Sequence, residues 1–160
     1  MILVTLGTQD KPFKRLIKAV EKQIELGNIK DEVIVQAGCT EYKSNKMKIL
    51  DYIPADEFKK IFEEADIVIT HAGVGNIIMG LEQGKKMVVA ARLEKYGEHV
   101  NDHQIQILEN FTNAGYIVPL KDFDRLNEAI EEAKKFVPKE YKSNSENFIG
   151  KLEKQIEELL

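Results

Sequence analysis

An α/β fold, with a parallel sheet covered by helices on both faces, is predicted by three observations. Six short apolar runs, at residues 2–6, 33–36, 48–52, 67–70, 87–91 and 116–118, alternate with longer segments of helical period. Several of these runs show little apolar/polar alternation, as strands buried on both faces do. The length of 160 residues suits one domain with a sizeable core and is short for two.

Each element follows in order. After the first strand, Phe13, Leu16, Ile17, Val20 and Ile24 recur at helical spacing. The runs 33–36 and 48–52 read as a hairpin-like exception, two strands joined through polar residues 40–46 with no obvious helix. Phe58, Ile61, Phe62 and Ala65 give a second amphipathic stripe, and the strand 67–70 leads through two glycines into a helix from Asn76 to Gln83. The strand 87–91 precedes a third stripe, Ile105, Leu108 and Phe111. Leu126, Ala129, Ile130, Ala133 and Val137 form a fourth after the strand 116–118. Pro138 separates this domain, 1–138, from a tail, 139–160. In the tail Phe148, Ile149, Leu152, Ile156, Leu159 and Leu160 line one side of a charged helix. That stripe either packs back on the sheet or docks on a partner.

Composition excludes several classes. Acidic residues outnumber basic ones 27 to 23, for a net charge of −4, so no nucleic-acid partner is expected. No apolar run approaches the roughly 20 residues of a membrane span. No basic segment precedes the first strand, so no signal peptide is expected. The lone Cys39 cannot close an internal disulfide and fits a reducing cytosol.

A sheet of this kind binds ligands beyond the carboxyl ends of its strands. Three loops there carry chemistry. Gly7, Thr8 and Gln9 follow the first strand; a glycine lets backbone N–H groups approach an anion, although a plain turn explains it equally well. His71, Ala72, Gly73, Val74, Gly75 and Asn76 follow the run 67–70. Here a helix start behind two glycines makes a phosphate cradle, with tight helix–sheet packing as the alternative. Residues 92–104 form a polar loop, long for its place between a strand and a helix. His99 and His103 within it have metal-ligand spacing beside Asp102, but hydrogen-bonding histidines are the commoner outcome. Asn101, Asp102, His103 and Gln104 together suit the hydroxyls of a sugar.

Three motifs in register carry a family resemblance. They are the segment 71–76, then Leu81, Glu82, Gln83, Gly84 and Lys85, and after an apolar strand the segment 98–104. With the opening residues 4–9, they resemble the carboxyl-terminal, donor-binding half of glycosyltransferase family 28. The loop 92–104 is most similar to the small catalytic subunits of two-subunit capsular and exopolysaccharide glycosyltransferases. The chain is also similar to the eukaryotic subunit that adds the second N-acetylglucosamine to a dolichol-linked precursor.

The resemblance implies a single Rossmann-like domain, the C-terminal half of a GT-B glycosyltransferase, that takes UDP-sugar as donor substrate. It sets Gly7, Thr8 and Gln9 by the donor phosphates, and the Tyr52 and Ile53 backbone at the uracil. His71, Gly73, Val74, Gly75 and Asn76 form the diphosphate cradle, while His99, Asn101, Asp102, His103 and Gln104 hold the sugar. His71, Glu98 and His99 are candidate bases, or the base lies on a partner. Met79 stands where family members using UDP-N-acetylglucosamine commonly carry a ribose-gripping glutamate. No metal or other cofactor is expected. With only the donor half present, a membrane-associated acceptor-binding half is the expected partner, and a lipid-linked saccharide the acceptor. The chain would then work in the cytoplasm, peripheral to the inner face of the membrane. Bacterial polysaccharide synthesis with galactose as the favoured hexose is the implied setting; an inactive UDP-sugar-binding or assembly module is the alternative.

Overall fold

The computed structural model describes residues 1–141. Six strands form one all-parallel sheet: β1 (Ile2–Thr5), β2 (Val33–Gln36), β3 (Lys48–Leu50), β4 (Ile67–His71), β5 (Lys86–Ala90) and β6 (Val118–Leu120). Their spatial order is β3-β2-β1-β4-β5-β6. Four α-helices connect them, α1 (Lys14–Glu25), α2 (Ala55–Glu64), α3 (Val74–Glu82) and α4 (His103–Asn113), and α5 (Leu126–Lys135) follows β6.

The weak alternation along the strands has a direct cause: neighbouring residues feed two cores. Ile2, Val4, Ile67, Ile69, Val88 and Ala90 pack with α1 and α5 on one face. Leu3, Val68, Met87 and Val89 pack with α2, α3 and α4 on the other. Along the central strands β1, β4 and β5, each position therefore meets an apolar layer whichever way it points, whereas the edge strand β3 is only partly covered.

Two details differ from expectation. The segment 33–52 is not a hairpin: β2 and β3 run parallel, with Ile34 paired to Lys48 and Gln36 to Leu50. The chain turns at Gly38, at φ +59°, and residues 37–47 carry it back without a helix. Thr40 fixes this crossover by accepting the Phe13 N–H at 3.0 Å. β6 begins two residues later than its apolar run and includes Pro119; it lies at the sheet edge, where a missing N–H costs no ladder bond on the open side.

The tail helix expected over 139–160 falls mostly outside the described residues. Within them, the Lys139 N–H donates to the Gly115 carbonyl at 3.0 Å, and Tyr141 meets Tyr116 edge-on. No helix among the described residues is long and apolar enough to cross a membrane.

Strand order reverses at β1: the chain first builds outward to β2 and β3, then returns to lay β4 on the other side. The loops after β1 and β4 therefore diverge and leave a crevice at the carboxyl edge.

Candidate functional site

That crevice holds a cavity of about 460 Å³, within the roughly 300–1,000 Å³ range of small-molecule sites. Its polar end is made by Thr5, Gly7, Thr8, Gln9, Gln36, His71, Gly73, Gly75 and Asn76. Its apolar end is made by Tyr52, Ile53, Ala55, Phe58 and Met79. No side chain in this lining carries a formal charge at neutral pH, given a neutral His71. The anion-binding capacity is that of backbone N–H groups and the start of α3.

The three glycines do different work. A methyl group built on Gly73 would lie 2.2 Å from His71 Cε1, and one on Gly7 2.5 Å from His71 Nε2. Gly7 also sits at φ +80°. These two glycines make room for the imidazole. A methyl on Gly75 would meet nothing within 4 Å, so a side chain there has open space at the cavity lining.

A hydrogen-bond network fixes the polar end. Gln36 Nε2 donates to the carbonyls of Gly7 (3.1 Å) and Asp51 (3.3 Å), leaving its Oε1 to accept the Thr5 hydroxyl at 2.7 Å. Thr5 Oγ1 in turn accepts from Asn76 Nδ2 at 3.2 Å. Burial above all, then the positive neighbours Arg92 and His99, pushes the His71 pKa down from 6.5 to about 3. The ring is therefore neutral at pH 7.

Arg92, buried to 1% exposure, straps two loops together. Its Nη1 donates to the carbonyls of Lys11 (2.8 Å) and Glu98 (3.0 Å), and its Nη2 to that of Leu6. The guanidinium thus stands behind the loop that Gly7 opens.

Nine residues singled out from the sequence meet at the cavity: Gly7, Thr8, Gln9, Tyr52, Ile53, His71, Gly73, Gly75 and Asn76. Val74 does not line it, and its side chain packs into the core beneath α3. The segment 98–104 does not line it either, and much of its polarity is spent internally. The Glu98 carboxylate takes Arg15 Nη2 at 2.9 Å, Arg15 Nε at 3.0 Å and the Leu93 N–H at 3.0 Å. That commitment replaces the free carboxylate a base would need. Asp102 accepts the Glu94 N–H (2.9 Å) and Asn101 the His103 N–H (3.0 Å). Gln104, 3% exposed, accepts two backbone N–H groups and turns toward His71. His99 is half-buried; burial first, then Arg92, lowers its pKa. The His103 side chain is half-buried at the start of α4.

Sequence reasoning missed Thr5, Gln36, Ala55 and Phe58. Thr5 and Gln36 carried a signal: each is a polar side chain at the last position of an otherwise apolar strand, on the edge where ligands bind.

Comparison with known proteins decides the family. The model described as glycosyltransferase family 28 C-terminal domain matches residues 1–160. The chain belongs to this family. It is 32% identical over 125 residues to the UDP-N-acetylglucosamine transferase subunit ALG13 of Homo sapiens, covering 72% of this chain and 10% of the human protein. The subunit of the same name from Candida glabrata is 31% identical over 91 residues, 56% of this chain and 42% of that protein. The matches therefore span less than half the length of these two relatives. Among solved structures, the glycotransferase of kitacinnamycin matches with a TM-score of 0.62 at 21% identity, covering 83% of this chain and 34% of that one. The solution structure of ALG13 matches at 0.56 and 20% identity, covering 87% of each chain. The likeness shows the fold: one α/β domain corresponding to the C-terminal half of a GT-B glycosyltransferase.

Proposed function

We propose that this chain is the donor-binding, catalytic subunit of a UDP-sugar-dependent inverting glycosyltransferase that acts on a lipid-linked saccharide. The observation that carries this reading is the cavity at the β1–β4 reversal, amide-rich at one end and apolar at the other. A nucleoside diphosphate has that polarity. The diphosphate sits against Gly7–Gln9 and the α3 start at Gly73–Asn76, while the uracil sits at Tyr52 and Ile53. The helix start and backbone N–H groups stabilise the departing UDP without a metal ion. The Arg92 cation behind the Gly7 loop adds to that field.

The sugar then projects toward the loop 92–104, where His99 and His103 are the half-buried groups able to meet its hydroxyls. The Glu98 carboxylate is occupied, which leaves His71, His99 or a group on a partner as the base for the acceptor hydroxyl. The cleft of a GT-B enzyme lies between two halves, and this domain supplies one wall. A membrane-associated acceptor-binding half supplies the other, and holds this chain at the cytoplasmic membrane face. A bacterial polysaccharide donor such as UDP-galactose is supported by the loop 92–104; UDP-N-acetylglucosamine is supported by the name of the relatives.

The test is co-expression with such a half, followed by transfer assays on lipid-linked acceptor with a panel of radiolabelled UDP-sugars. Transfer from one UDP-sugar that requires both chains is expected. Binding of UDP-sugar without transfer by any assembled pair would favour the alternative, an inactive UDP-sugar-binding or assembly module. Full transfer by this chain alone would overturn the two-subunit reading.

A further inference from the structure

The ring of His71 has a hydrogen-bond partner on each nitrogen. Gln104 Nε2 lies 3.3 Å from Nδ1, and Asn76 Nδ2 lies 3.4 Å from Nε2. A neutral imidazole has one N–H and one lone pair, so it can accept from only one of these amides. Which one decides what the ring offers to the cavity.

The Gln104 amide cannot be turned round. Its Oε1 accepts the N–H of Ala72 at 3.2 Å and the N–H of Arg92 at 3.0 Å. These are the first residues beyond β4 and just beyond β5, so the bond also ties two strand ends together. Reversing the amide would set an NH2 group against two buried backbone donors and leave both unsatisfied. Nε2 is therefore the atom facing Nδ1, and it can only donate. At 3% exposure the side chain has no water to turn to.

Asn76 is placed differently. It lines the cavity on the first turn of α3, and its Nδ2 already has the Thr5 hydroxyl oxygen at 3.2 Å. It can give up the longer approach to Nε2 by a small rotation toward a ligand. Gln104 has no such freedom. The charged and titratable groups that face the ring are Arg92, from the end of β5, and His99, from the following loop; both are cationic when protonated. Neither favours an imidazolium.

We propose that Gln104 is a positioning residue that holds His71 as the neutral imidazole protonated at Nε2. His71 then meets a ligand oxygen as a hydrogen-bond donor and has no lone pair on its cavity side. This removes His71 as the base for an acceptor hydroxyl and gives it the task of binding a phosphate or sugar oxygen. Gln104 acts through His71 and does not reach the ligand. The assignment deepens the nucleotide-site reading above and rests on it for the ligand, but the tautomer itself is a property of the unliganded chain.

The test is a long-range proton–nitrogen NMR spectrum of the chain labelled with ¹⁵N-histidine, at pH 7 without ligand. The expected result is a His71 Nδ1 signal typical of a bare acceptor nitrogen and an Nε2 signal typical of N–H. In Gln104→Glu, a carboxylate oxygen faces Nδ1, so a proton should move to Nδ1 and the His71 pKa should rise. Wild-type His71 protonated at Nδ1 would overturn the proposal. So would a folded Gln104→Glu variant with an unchanged tautomer and pKa. Should the variant not fold, the wild-type spectrum decides alone. Adding UDP separates the two readings: a shift of Nε2 with its proton retained supports both. Absence of UDP binding with Nε2–H in place would refute the ligand and leave the tautomer standing.

Discussion

At the residue scale, His71 is a buried neutral imidazole, and that has a consequence for stability. Its pKa is about 3 in the fold against 6.5 for an ordinary histidine. Between those values the unfolded chain binds a proton that the folded chain refuses. The contribution is thus complete above pH 6.5 and falls as the pH drops, by up to roughly 1.4 kcal/mol per pH unit, levelling off near pH 3. Urea unfolding of the wild type and His71→Gln at pH 6.5 and 4.5 checks this. The wild type should lose more stability on acidification; equal losses would contradict a buried neutral ring.

Met79 makes a second prediction at this scale. Among the described residues no carboxylate lines the cavity, and a thioether is a weak acceptor for a ribose hydroxyl. UDP and its 2′-deoxy counterpart should therefore bind within a few-fold of each other. Met79→Glu should favour UDP by about tenfold or more, since a hydrogen bond to a charged group contributes about 1.5–3 kcal/mol. Competition calorimetry reads both. Strong preference for UDP in the wild type would place another acceptor at the ribose.

Residue types were legible where their position alone defines them. Gly73 stood out as a glycine at a strand end, but its tightest demand is space for the His71 ring, which no spacing rule reveals. Glu98 and Gln104 stood out as polar residues in a polar loop. Which way each side chain turns depends on Arg15, and on the backbone of Ala72 and Arg92, all distant in sequence. Direction is tertiary information.

At the scale of elements, apolar runs located all six strands and periodicity four of the five helices, because the central strands bury both faces and each helix one; α3 was marked by the glycines that precede it. It could not distinguish a parallel from an antiparallel partner for β3, since both leave the same apolar pattern along the chain. Lys85 and Lys86, adjacent on a polar turn before β5, each reach the end of a helix. Lys85 Nζ donates to the Ala65 carbonyl at 2.8 Å, just past α2, and Lys86 Nζ to the Lys134 carbonyl at 2.6 Å in α5. Cations there complement the negative end of each helix dipole.

The start of α3 supplies a paired prediction. Gly73→Ala should destabilise the fold, because the methyl meets the imidazole at 2.2 Å and the ring is confined. Gly75→Ala should be neutral or stabilising by up to about 1 kcal/mol, as alanine suits a helix better than glycine and has open space to enter. Thermal unfolding of the two variants compares them directly. Equal loss in both would mean that the ring does not fill the space next to Gly73.

At the scale of the whole molecule, one sheet gives one wall of a cleft. The reversal of strand order at β1 brings loops from residues 6–9 and 71–76 together across more than sixty residues of sequence. In the proposed reaction the acceptor arrives at the open side of that cavity. A glycosyl donor there would be exposed to water, and no second nucleophile would be oriented by this domain alone. Under the proposed function binding and transfer therefore separate: this domain would bind the nucleotide by itself, and catalysis would wait for an opposing half.

The most direct test of that account is calorimetry of the isolated chain with UDP in the presence of EDTA, for the wild type and for Gly75→Val. Position 75 lines the cavity and has open space at its Cβ, so a valine there is expected to narrow the site at little cost to the fold. Saturable, metal-independent binding to the wild type is expected, falling by at least tenfold in a folded Gly75→Val variant. No binding to the wild type, or equal binding to both, would contradict a nucleotide site between β1 and β4.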